Sequence, residues 1–310
     1  MAFNLVKYLQ TCVAKPGSKI SLKKFSTECK HDDLSKSAAE KLLKIGLERL
    51  ETMQDKLYAH DQYSILIILQ AMDAAGKDST IKHVMSGLNP QGVRVTSFKV
   101  PSSTELDHDY FWRHYKELPP RGQIGIFNRS HYENVLVTKI HPEFILSENL
   151  PDINTVKDIT PAFWKSRYDQ INRFEKNLVE NGTIVLKFFL HLSKNEQKKR
   201  FLERIEDPTK NWKFSYADMK ERAYWDQYQE AYEEMISKTS TKEAPWFIVP
   251  ADDKWFTRVV IAALIIQQFN KMDFEYPTVT KEQKDVLLKA KSELMAENGS
   301  SKNKKKKNKK

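Results

Sequence analysis

"YSILIILQAMDAAGKDST", residues 63–80, decides the fold. Its first half is an unbroken apolar run of strand length, as a parallel strand covered on both faces requires. Its second half is a turn of small residues that closes on Gly76-Lys77 and opens a helix. That order of strand, turn and helix sets backbone N–H groups around an anion. Measured against G-x-x-x-x-G-K-[ST], the eight positions read Ala71, Met72, Asp73, Ala74, Ala75, Gly76, Lys77 and Asp78. Alanine replaces the first glycine and Asp78 the hydroxyl residue, although Ser79 and Thr80 follow at once. A carboxylate beside a phosphate is repelled unless a divalent cation lies between them. Magnesium takes one or two carboxylates together with substrate phosphates. Asp73 is therefore assigned to a metal, and Asp78 is read as a cap on the helix amino end.

The rest of the chain repeats the alternation. "VRVTSFKV", "IGIFN", "TIVLKFFLHL" and "WFIVP" read as four more strands, with helical stretches between them. The implied architecture is an α/β doubly wound parallel sheet with ligands at the carboxyl ends of its strands. From Ser37 to Tyr58, Leu42, Leu43, Leu47, Leu50, Met53 and Leu57 recur at helical spacing, which predicts an amphipathic helix against the body. Residues 1–36 lack a clean period and are read as an N-terminal extension. Residues 37–295 are read as one catalytic domain, and 296–310 as a disordered lysine-rich tail.

Two further stretches carry charge to the sheet's carboxyl edge. "IGIFNRSHYENVLV", residues 124–137, delivers Asn128, Arg129 and Glu133 to where a metal-holding acid normally ends the third strand. Asn128 occupies that acid's place, so Glu133 is a candidate second metal ligand. Arg129 suits bidentate phosphate contact. "HLSKNEQKKRFLERIEDPTKNWKFS", residues 191–215, starts a helix with a Ser193/Glu196 capping box and sets Arg200 and Arg204 four apart, with Lys210 and Lys213 beyond Asp207-Pro208. A positive row ending in a Pro-broken loop is the build of a phosphate-closing lid. Asp252 is read as a helix cap, Trp112 and Tyr115 as core, and the tyrosines of residues 223–235 as packing residues.

The formal charge of +10 is concentrated at the end: "SKNKKKKNKK" holds seven lysines, leaving 44 basic against 41 acidic residues in 1–301, a net of +3. That distribution argues against specific nucleic-acid binding. Cys12 and Cys29 are too few for a disulfide framework, and the apolar runs are too short for a membrane span. The amino-terminal residues lack a secretory pattern, so the expectation is a soluble cytoplasmic protein without a membrane partner.

Taken together, "QAMDAAGKDSTIKHV", "FNRSHYENVLV" and "KKRFLERIEDPTKNWKFS" resemble the polyphosphate kinase 2 family, over about residues 20–275. The resemblance implies a thymidylate-kinase-like P-loop fold with a helical lid near residues 200–215. It implies magnesium-dependent phosphoryl transfer between inorganic polyphosphate and adenine or guanine nucleotides, by a homo-oligomer, a dimer or tetramer. By it Asp73, Gly76 and Lys77, with Ala74, Ala75, Asp78, Ser79 and Thr80, belong to the phosphate loop. Arg129 maps to the second motif, Arg200, Arg204, Lys210 and Lys213 to the lid, and Arg167 to another anion contact. Asn128 resembles the branch that phosphorylates both AMP and ADP. The competing readings are an ATP-dependent nucleoside monophosphate kinase on the same fold, and a nucleic-acid-binding protein with a degenerate loop.

Overall fold

The five apolar runs become five strands: β1 (Ser64–Ala71), β2 (Val93–Ser97), β3 (Ile124–Asn128), β4 (Thr183–His191) and β5 (Trp246–Pro250). They pair in parallel in the order β2-β3-β1-β4-β5. The computed structural model describes residues 4–30, 34–272 and 274–307. Helices before and between the first strands are α1 (Leu5–Thr11), α2 (Lys36–His60), α3 (Lys77–Val84), α4 (Ser103–Leu106) and α5 (Trp112–Tyr115). After β3 come α6 (Glu133–Ile140), α7 (Glu143–Leu146) and α8 (Pro161–Glu180). After β4 come α9 (Lys194–Glu206), α10 (Tyr216–Glu221) and α11 (Trp225–Thr239), and after β5 α12 (Lys254–Phe269) and α13 (Lys281–Lys307).

Every residue of β1 is buried, and its side chains divide between the two faces. Ile65, Ile67 and Leu69 pack with Leu57 of α2, Val84 of α3 and Ile261 of α12. Leu66 and Ile68 pack with Val135 of α6, Ile171 of α8 and Met235 of α11. Each such burial stabilises by roughly 1.5–3 kcal/mol, which is why the central strand tolerates no polar alternation. Of the predicted α2 stripe, Leu50 and Leu57 are buried, whereas Leu42 is 38% exposed.

Within the expected N-terminal extension, residues 1–36, the described residues 4–30 include several that join the core. Leu9, Cys12, Ala14, Ile20 and Leu22 are buried. Ala14 N–H donates to Trp246 O at 2.8 Å and Ile248 N–H to Cys12 O at 2.7 Å, which lays the segment along β5. Its apolar residues show no period because most of it threads over the core as irregular chain. The carboxyl boundary also differs from the expectation of 37–295. The chain divides into one unit, Met1–Phe274, and a second, Glu275–Lys310, which contains α13. The backbone of α13 is helical to Lys307, where composition suggested disorder; Lys, Glu, Ala and Leu are strong helix formers. The rest of that tail lies outside the described residues. Among those described, no helix is long and apolar enough to cross a membrane.

Because β1 lies between β3 and β4, the connections leaving β1 and β3 diverge and open a crevice at the carboxyl edge. The register pairs Leu69 with Asn128, so the turn after β1 and the turn after β3 meet there.

Candidate active site

The turn after β1 is shaped by two left-handed residues, Ala74 at φ 61° and Gly76 at φ 102°. Gly76 is the N-cap of α3, and its carbonyl accepts from Thr80 N–H at 2.8 Å. Lys77 opens the helix and turns back, Nζ donating to Ala71 O at 3.0 Å. Desolvation in the cleft lowers its pKa, with Arg129 adding to the effect; Asp73, Glu133 and Asp78 act in the opposite sense.

Arg129 follows β3 directly, at φ 64°, with its N–H on Leu69 O at 3.1 Å. A non-glycine residue in this region is strained, and its neighbours must hold it there. Its guanidinium donates to Asp73 Oδ1 at 2.8 Å. Burial works against its charge, but Glu133 and Asp73 more than offset that and keep Arg129 protonated. Glu133, the first residue of α6, has its pKa raised by desolvation, which Arg129 and Lys77 oppose.

A buried network lies under this second turn. Lys187 Nζ donates to Glu175 Oε2 at 2.6 Å, to Tyr132 O–H at 3.0 Å and to Thr239 O at 2.6 Å; Tyr132 O–H donates to Glu175 Oε1 at 2.6 Å. His131 and Tyr132, between Arg129 and Glu133, are both wholly buried. Burial lowers the pKa of His131, which favours the neutral imidazole.

Several expected residues sit differently. Asp78 does not cap α3, since Gly76 fills that position; its Oδ1 accepts from Asn128 Nδ2 at 2.5 Å. Asn128 thus pairs with the neighbouring acid. Ser79 Oγ accepts from Arg258 Nη2 at 2.9 Å, and Thr80 is buried. Arg167, 3% exposed, is ion-paired to Glu148 and stacked on Tyr110 at 4.2 Å, so its charge is already matched. Arg200 is 4% exposed and lies under the loop rather than in a lid.

Arg204 lies in the last turn of α9, and Lys210 and Lys213 in the segment that follows it. Arg204 is 3.8 Å from Asp218, Lys210 is bonded to Asp207 at 2.8 Å, and Lys213 lies over the Trp212 ring at 4.9 Å. The Ser193/Glu196 box is half formed. Ser193 Oγ accepts from Glu196 N–H, but the Glu196 carboxylate turns to Arg200. Asp252 accepts from Ser193 N–H at 2.8 Å, and Asp253 is the N-cap of α12. Tyr115 is 49% exposed rather than core. Tyr228 and Tyr232 are buried as packing residues, whereas Tyr224 is exposed.

Asp218 was not legible as a site residue. It lies 3.8 Å from Arg204, and burial raises its pKa, with the charge of Asp73 adding to the effect. In the sequence it is one more acid in a first helical turn, where caps and dipoles favour acids anyway. Beside Arg129 and Glu133 opens a cavity of about 270 Å³, with Phe98, Val100, Tyr110, Arg113 and Val137 in its largely apolar wall. The cleft therefore joins a cationic anion seat to a pocket with the mixed lining of a small-molecule site.

A family model, polyphosphate kinase 2, matches residues 33–277. An ADP-polyphosphate phosphotransferase of Rhodopseudomonas palustris is 47% identical over 279 residues, 90% of this chain and 96% of that protein. An AMP/ADP-polyphosphate phosphotransferase of Meiothermus ruber is 42% identical over 269 residues, 85% of this chain and 93% of that one. The crystal structure of polyphosphate kinase 2 from Arthrobacter aurescens TC1 is similar at a TM-score of 0.78 and 36% identity, covering 89% of this chain and 98% of its own.

Proposed function

The chain belongs to the polyphosphate kinase 2 family, and from that premise we propose that it reversibly transfers the terminal phosphoryl of inorganic polyphosphate to AMP or ADP. One observation carries the reading of the site: Lys77 and Arg129 converge on the left-handed loop after β1, while a largely apolar cavity opens against Arg129 and Glu133 on the β3 side. The first is a seat for a phosphate chain end; the second accommodates a nucleoside. The phosphorus–oxygen bond to the shortened polymer breaks, and a bond to the acceptor's terminal phosphate oxygen forms. The polymer leaves one unit shorter.

Such a transfer needs positioning and charge neutralisation more than covalent help. Lys77 stabilises charge on the moving group, Arg129 grips its oxygens, and Arg204, Lys210 and Lys213 bring cations from the lid side. Arg167 and Arg200 take no direct part in gripping the polymer.

Asp73 and Glu133 are the residues that would hold magnesium. Among the described residues, no group of three or more His, Cys, Asp or Glu is arranged to hold a metal by itself. Two carboxylates facing a phosphate seat fit an ion that completes its shell with phosphate oxygens and water. When bound, the ion neutralises charge on those oxygens.

Incubation of purified protein with ADP, long-chain polyphosphate and magnesium, with ATP omitted, tests the proposal. ATP should accumulate. An ATP-dependent monophosphate kinase would leave ADP unphosphorylated by the polymer and would instead phosphorylate AMP when ATP is supplied.

A further inference from the structure

The outer face of the phosphate loop is held by α9. Arg200 Nη1 donates to Ala74 O at 3.0 Å and to Ala75 O at 2.9 Å. Its Nη2 donates to Ala251 O at 2.7 Å and to Asp252 O at 2.9 Å, and its Nε to Glu196 Oε1 at 2.9 Å. A guanidinium has five N–H donors, and these five contacts use them all. One turn earlier on α9, Gln197 Nε2 donates to Asp73 O at 3.0 Å, while its Oε1 accepts from Arg222 Nη1 at 2.7 Å. Three successive loop carbonyls, of Asp73, Ala74 and Ala75, are therefore drawn toward one helix.

In a trans peptide the N–H points opposite to the preceding C=O. Carbonyls pulled outward thus turn the amides of Ala74 and Gly76 toward the cleft, while that of Ala75 closes the turn on Met72 O at 3.3 Å. The grip also holds Ala74 in its left-handed conformation, which an alanine does not favour. The guanidinium lies close behind the loop: a Cβ added to Gly76 would sit 3.8 Å from Nη1.

We propose that Arg200 and Gln197 are positioning residues for phosphoryl transfer, orienting the loop amides toward the phosphate and tying the loop to the helix that leads into the lid. The inference rests on the reading of this loop as a phosphate seat. Lysine cannot replace Arg200, since a single ammonium has three donors and no planar fork.

The test compares wild type with Arg200→Lys and Gln197→Leu by steady-state kinetics for ADP and polyphosphate, by melting, and by hydrogen exchange of peptides spanning residues 71–80. Folded Arg200→Lys should lose about tenfold or more in kcat with its KM for polyphosphate within about threefold, because a misplaced seat costs rate more than binding. Exchange in the loop should rise. Gln197→Leu should shift both readouts in the same direction by less. If Arg200→Lys does not fold, Gln197→Leu decides alone: a kcat loss at unchanged KM supports the proposal, and unchanged kcat overturns it. A polyphosphate KM raised about tenfold at unchanged kcat would make Arg200 a direct substrate contact. Unchanged kcat and loop exchange in a less stable protein would reduce the clamp to a fold staple. The exchange measurement needs no substrate, so it stands apart from any failure of the polyphosphate reading itself.

Discussion

Arg129 Nη2 and Asp73 Oδ1 are 2.8 Å apart, joining the turn after β3 to the turn after β1 across the cleft. Each neutralises the group beside which phosphate and metal would sit. Both side chains keep some exposure, 43% and 29%, so the pair stabilises the fold by about 1 kcal/mol or less. Arg129→Gly removes that pair but also relieves a left-handed non-glycine residue, worth about 1–2 kcal/mol. The variant should melt no lower than wild type while kcat/KM for polyphosphate falls about a hundredfold or more. Calorimetry with steady-state kinetics checks both halves; a strong loss of melting temperature would mean that Arg129 serves the fold.

Lys77 is the second test. Its pKa is lowered first by desolvation and then by Arg129, with the nearby acids only restoring part. The unfolded lysine therefore binds its proton more tightly than the folded one. The resulting penalty on stability is full below the folded-state pKa and fades as pH rises from there toward the ordinary value of about 10.4. Lys77→Met should remove that slope from the stability–pH curve, leave the protein at least as stable at neutral pH, and lower kcat by about a hundredfold or more.

Glu133 has the opposite linkage. Desolvation raises its pKa, so the native state holds the proton more tightly than the unfolded chain. Stability from this residue is present below the unfolded value of about 4.3 and is lost as pH rises through the raised folded pKa. With the carboxylate as the working form, kcat/KM should fall on the acid side, at lower pH than that window, because bound magnesium favours the ionised form. Glu133→Gln should flatten that acid limb as well as lower the rate; a limb that persists in the variant would belong to another group.

Asn128 and Asp78 share a hydrogen bond of 2.5 Å. Asn128→Asp would face two carboxylates at that distance and should destabilise by about 1 kcal/mol, a modest figure because Asp78 is exposed. Adding Asp78→Asn reverses donor and acceptor and should recover most of the loss. A double-mutant cycle from melting curves measures the coupling; strict additivity would mean that the pair has no energetic weight.

The five strands were legible because each is a short apolar run bounded by turns, and burial on both faces leaves no room for another pattern. Arg129 and Glu133 were legible through their place after β3. What escaped depends on partners distant in sequence. Arg200 reads as a lid cation in a positive row, yet five acceptors from three segments enclose it. Asp218 reads as an ordinary first-turn acid, yet it pairs with Arg204 of α9 at 3.8 Å. The packing of residues 5–22 was missed because a short helix followed by irregular chain across the core writes no sustained period.

The stoichiometry of the transfer tests the central claim most directly. Phosphorus NMR of polyphosphate incubated with the protein, ADP and magnesium should show one interior phosphate lost for each ATP formed, with polymer end groups constant and no orthophosphate released. ATP formation without shortening of the polymer, or release of orthophosphate in its place, would contradict the account.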